Sequence, residues 1–142
     1  MQIINSLKAT GMDLQKRGQL QHECDTLKRL LFFLKEENIA LKNRLSDILK
    51  NSFDKNLLEK AEFFQSAFIR EDERMHLLRN DLAALESVLS SITQGKENLN
   101  SKIDVMLADL RNNAHIAENQ FLKMRSDFNR YFTRKCKSFP KP

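Results

Sequence analysis

This sequence predicts an all-α protein, a long antiparallel three-helix bundle running up-down-up with coiled-coil heptad packing, and three observations carry the prediction. Apolar residues recur at alternating steps of four and three through three long stretches. Only three Gly and two Pro punctuate 142 residues, far too few for a turn-rich β protein. The two breaks between the stretches, "KNSFDKN" and "TQGKEN", are short and polar, and connections of that length force neighbouring helices to run antiparallel.

Before Leu20 the periodicity fails, with Gly11 and Gly18 interrupting it, so residues 1–12 are expected to form a short N-terminal arm. The first helix is expected at about 13–51. Its seam steps through Leu20, Cys24, Leu27, Leu31, Leu34, Asn38, Leu41, Leu45 and Ile48, with leucine at the d positions and Asn38 at an a position. Glu23 with Lys28, and Glu37 with Lys42, stand in the g to e′ relation that favours parallel pairing of two chains. The stretch resembles a leucine zipper over about four heptads, a geometry shared by many unrelated proteins, and it names no family. Leu20, Leu27, Leu34, Asn38 and Leu41 are the residues expected to set oligomerisation and register. Leu30, Phe32, Phe33 and Ile39 widen the stripe beyond what a zipper needs, so the rest of the chain is expected to cover them.

Ser52 or Asp54 supplies an N-cap for the second helix, expected at about 54–94, and Gly95 stands where a left-handed C′ residue would end it. About 40 residues at ~1.5 Å each make that helix roughly 60 Å long. Its seam runs Leu57, Ala61, Phe64, Phe68, Glu71, Met75, Leu78, Leu82, Leu85, Leu89 and Ile92. Glu71 is the one polar member, expected to pair with Arg70, Arg74 or a neighbouring chain, or to reach the bundle edge. The third helix, about 97–135, presents Ile103, Leu107, Leu110, Ala114, Ala117, Phe121, Met124, Phe128 and Tyr131. The bundle therefore spans 13–135, and residues 136–142 form a basic tail. Residues 129–142 contribute little to the core expected from this pattern.

Reversal near Ser52 and Gly95 makes residue numbers at equal height sum to roughly 104 between the first two helices and roughly 190 between the last two. Phe32, Phe33, Phe63, Phe64, Phe68, Phe121 and Phe128 then share one belt, seven of the ten phenylalanines. Ala114 and Ala117 beside it look like packing complements, so the belt reads as core filler and not as a cofactor or lipid cavity.

Chemistry-bearing constellations are few. Glu73 with His76, and His115 with Glu118 in reverse, have the i, i+3 spacing of carboxylate-bridged di-metal bundles. Glu73 falls at f and both histidines at b, away from the core, and a full site needs four inward carboxylates, so no metal is expected. His22, Glu23 and Cys24 do not make a nucleophilic set, because a thiol in the seam is inert. Cys24 and Cys136 form no zinc spacing and are expected as reduced thiols. No Gly-rich phosphate loop, GxSxG or HExxH occurs. The reading is a non-enzyme with no catalytic residue, no cofactor and no small-molecule substrate.

The longest apolar run is the five residues "LLFFL", and "MQIINSLKATGMD" lacks the basic and apolar regions of a secretory signal, so a cytoplasmic location is expected. Net charge is +5 overall, and the excess lies after residue 119. In "FNRYFTRKCKSFPKP", Arg130, Arg134, Lys135, Lys137 and Lys141 interleave with aromatic rings, a pattern suited to nucleic acid or an anionic membrane surface. Basic side chains near a helix C-terminus also simply oppose its dipole. The function expected is a structural or adaptor module that self-associates as a homo-oligomer, a dimer, and that also meets another helical protein. Polyanion binding through the tail is the alternative.

Overall fold

The computed structural model describes residues 14–52, 54–93 and 100–138. The expected arm at 1–12, Gly95 and Lys141 lie outside them. Three helices make up the structure: α1 (Leu14–Lys50), α2 (Lys55–Thr93) and α3 (Asn100–Ser138). Among the described residues there is no strand, and the arrangement fits a helical bundle.

The α1–α2 junction follows from local chemistry. At the end of α1, the Asn51 amide donates to the Ile48 carbonyl at 3.3 Å, a tightened last turn, and Lys50 places a cation against the negative end of the helix dipole. Of the two candidate caps, Asp54 serves α2: its Oδ1 accepts from the Asn56 amide at 3.0 Å, and its carbonyl accepts the first helical bond from Leu58 at 3.0 Å. Ser52 sits one step back, its Oγ accepting from the Asp54 amide at 3.5 Å.

Contacts divide the chain into two compact units, each drawing on all three helices. One takes α1 up to Phe33, α2 from His76 and α3 up to His115; the other takes α1 from Leu34, α2 up to Met75 and α3 from Ile116. The first unit buries aliphatic seam residues, among them Leu31, Leu85, Ile103 and Leu107. Across its surface, Lys28 meets Glu86 at 2.7 Å, Arg111 meets Glu23 at 3.3 Å and Lys16 meets Asp104 at 3.5 Å.

The second unit is built on rings. Phe64 stands edge-on to Phe128 at 5.2 Å, Phe68 lies 5.8 Å from Phe128, and Phe132 lies 4.6 Å from Phe128 and 5.7 Å from Phe64. Such pairs add about 0.5–1.5 kcal/mol each beyond the area they bury. Phe121 is buried as well.

This belt differs from the expected one at both margins. Phe32, Phe33 and Phe63 are exposed, because equal height along the bundle fixes a residue's level and not the direction in which its helix turns it. All three occupy positions facing away from the seam. Phe132 is fully buried, whereas Tyr131, expected in the seam, is half-buried and packs edge-on against Phe132 at 5.0 Å. The 4, 3 rhythm holds from Ile103 to Phe128, and the next step is four residues and not three, so the buried ring is Phe132. Residues 129–142 consequently contain a core ring.

Candidate interaction surface

The five residues expected at a seam between chains are covered by their own chain. Leu20 and Leu27 are buried in the first unit, and Leu34, Asn38 and Leu41 in the second. Asn38 shows how completely. Its Nδ2 donates to the Phe68 carbonyl at 3.1 Å and to Asp72 Oδ1 at 2.9 Å, both on α2, while Lys42 pairs with the other oxygen of Asp72. Asn38 Oδ1 is buried and meets no partner among the described residues.

The charges that suggested two-chain pairing are also engaged in cis. Glu23 binds Arg111 and Glu37 binds Arg125 (2.8 Å), both on α3; Lys28 binds Glu86 and Lys42 binds Asp72, both on α2. The g to e′ spacing is real, but its members turn outward to flanking helices of the same chain. As a site for a second copy, this seam is already filled.

Glu71 is likewise accounted for within the second unit. Its carboxylate is buried, and Arg74 Nη1 donates to Oε1 at 2.6 Å. Burial pushes the carboxyl pKa up, against the pull of Arg74 and Arg70, and Asp72 adds to the rise. In the first unit, burial raises the Cys24 thiol, Glu86 adding to it, which suits an inert core sulfur. Glu73, His76 and His115 are exposed, and Glu118 is half-buried. Among the described residues, no group of three or more His, Cys, Asp or Glu is placed to hold a metal ion.

What remains outside is apolar. Phe32 is 65% and Phe33 44% exposed, adjacent on α1 in the first unit, and in the second Leu58, Phe63 and Ile69 are exposed. The covering expected for Phe32, Phe33 and Ile39 is absent from the described residues, while Leu30 is half-buried. Scattered surface apolars are ordinary, but two neighbouring phenylalanines on an otherwise charged helix are not. Their heptad positions, b and c, are the signal in the sequence that places them outward.

Of the basic residues, Arg130 is exposed and lies 3.9 Å from Asp127. Helix α3 continues through Arg134, Lys135 and Lys137 to Ser138, three residues past its expected end. Beside Arg130, Tyr131 and Phe63 flank the Lys60 ammonium at 5.3 and 4.8 Å, a cation–π arrangement. Among the described residues, no helix is long and apolar enough to cross a membrane. No protein-family model, no curated protein and no solved structure matches this chain.

Proposed function

We propose that this chain is a non-enzymatic structural or adaptor module, a three-helix up-down-up bundle with heptad packing that binds other proteins, its own copy first, through the outer face of α1. The topology is supported by the numbering of the contacts. Lys16–Asp104, Glu23–Arg111 and Glu37–Arg125 all keep a separation of 88 residues, as two helices running the same way require. Partners on α2 instead fall from Glu86 to Asp72 as α1 rises from Lys28 to Lys42, the mark of opposed directions.

The observation that carries the binding role is the Phe32–Phe33 pair, exposed on a helix whose seam is filled in cis. Light scattering at roughly 100 µM, well above the Kd of a micromolar dimer, tests it. A dimer is expected, and the double variant Phe32→Glu with Phe33→Glu should be a monomer of unchanged helicity, its unfolding midpoint lower only by the stabilisation that association lends the wild type. A monomeric wild-type chain overturns self-association.

A second reading is favoured by the extension of α3. Arg130, Arg134 and Lys137 recur there at i, i+4 and i+7, a spacing that suits phosphates of nucleic acid or an anionic membrane. Deleting residues 134–142, which keeps Phe132, should abolish binding to a duplex or to anionic vesicles, and binding by the full chain should fall steeply between about 50 and 200 mM salt. Equal, salt-insensitive binding by both chains eliminates this reading.

A further inference from the structure

The second unit carries a groove of about 620 Å³ between the C-terminal turns of α1 and the first half of α2. Leu49 and Ile69 form its apolar rims over a floor of Leu45 and Phe68, both only 2% exposed, with Lys42 and Lys50 at the edges. No carboxylate lines it among the described residues. The two lysines differ in availability. Lys42 is held by Asp72, which Asn38 also binds, whereas Lys50 only approaches Asp47 at 3.6 Å, and both of those side chains are more than 70% exposed. Exposed pairs of that kind contribute little and exchange readily for another anion.

Size decides what occupies it. From Lys42 to Lys50 the groove follows α1 for only ~12 Å at ~1.5 Å per residue. Stable protein interfaces engage roughly 20–30 residues a side, and the groove offers eight. Its volume instead lies within the roughly 300–1,000 Å³ typical of small-molecule sites. We propose that this groove binds a single-chain anionic amphiphile, a medium-chain carboxylate whose alkyl tail lies between Leu49 and Ile69 and whose headgroup meets Lys50. The site is separate from the Phe32–Phe33 surface and does not depend on it.

Calorimetric titration of the full chain with octanoate, decanoate and decanol, all below their micellar concentrations, tests the assignment. Decanoate is expected to bind, more tightly than octanoate by up to about fifteenfold, the equivalent of two buried methylenes at ~0.8 kcal/mol each. Lys50→Glu should weaken decanoate by about tenfold, replacing an attraction with a repulsion, and leave decanol nearly unchanged. Ile69→Glu should abolish both, and because Ile69 is 58% exposed its helicity should match wild type. No decanoate binding, or binding indifferent to both variants, overturns the proposal. So does capture of an acidic amphipathic peptide in place of decanoate. A change in the mass of the unliganded protein on Ile69→Glu overturns it too, since the groove would then hold a second copy.

Discussion

Among the described residues, Asn38 and Glu71 are the two polar residues buried in the core of the second unit, and their chemistry differs. Asn38 makes two hydrogen bonds and leaves one acceptor unmet. An unmet buried acceptor costs about 1–3 kcal/mol, while each net hydrogen bond returns about 1. On these figures the two bonds and the orphan roughly cancel, and the apolar burial that a leucine adds, about 1.5–3 kcal/mol, decides the sign: Asn38→Leu should raise stability by about 1 kcal/mol or more in urea denaturation, and the Lys42–Asp72 pair remains to anchor Asp72. A loss of stability would mean the amide is worth more than its orphaned oxygen costs. Glu71 responds to pH. Its folded pKa lies above the ordinary Glu value because burial disfavours the charge, so the folded state holds the proton more tightly than the unfolded one. Stability from this group is present below the ordinary Glu pKa and is lost as pH rises through the raised one. Glu71→Gln should remove that loss, so that the variant gains on wild type as pH rises above the ordinary Glu pKa; a difference that stays constant as pH rises contradicts the assignment. A third residue separates the seam as extrapolated from the seam as folded. Phe132→Ala should cost about 3–5 kcal/mol, as a buried ring does. Tyr131→Ala should cost clearly less, since Tyr131 is only half-buried. The sequence alone points the other way at this pair, because the 4, 3 rhythm counted on from Phe128 lands on Tyr131.

At the scale of single helices, existence and extent were legible. Long 4, 3 runs and polar breaks mark α1, α2 and α3 to within a few residues, since any helix that buries one stripe must repeat it. The ends were less so: Ser52 and Asp54 are both good caps by composition, and only the backbone places Asp54 Oδ1 on the Asn56 amide. Nor does composition say where α3 stops, because "RKCKS" continues a helix as readily as it leaves one. One position in α1 works against its helix. Gly18 lies in the first turns, and a Cβ built there meets nothing within 4 Å. Gly18→Ala should raise stability by about 0.5–1 kcal/mol through the backbone entropy that glycine loses in a helix. Thermal unfolding of the two proteins checks it, and a lower midpoint in the variant would place a neighbour against that turn.

For the whole molecule, what the sequence withheld is which surface covers which. Glu23 and Lys28 carry the same spacing whether they pair across two chains or reach Arg111 and Glu86 of their own, and a heptad seam looks alike in a zipper and in a folded-back bundle. The same ambiguity hid the groove: Leu49 and Ile69 lie off the seams, where single apolar residues resemble ordinary surface. We propose that these charge pairs, each local to one unit, mark a chain folded back on itself. Spin labels at positions 23 and 111, in a chain with Cys24→Ala and Cys136→Ser, test it most directly by double electron–electron resonance. Folded back in cis, the labels sit on helices at an interaxial spacing of ~10 Å and should give one short distance, under about 20 Å, that survives dilution with excess unlabelled chain. Were the 88 intervening residues to run on as extended helix at ~1.5 Å each, the labels would lie more than ~100 Å apart. A long distance, or a short one that vanishes on dilution, would contradict the in-chain bundle.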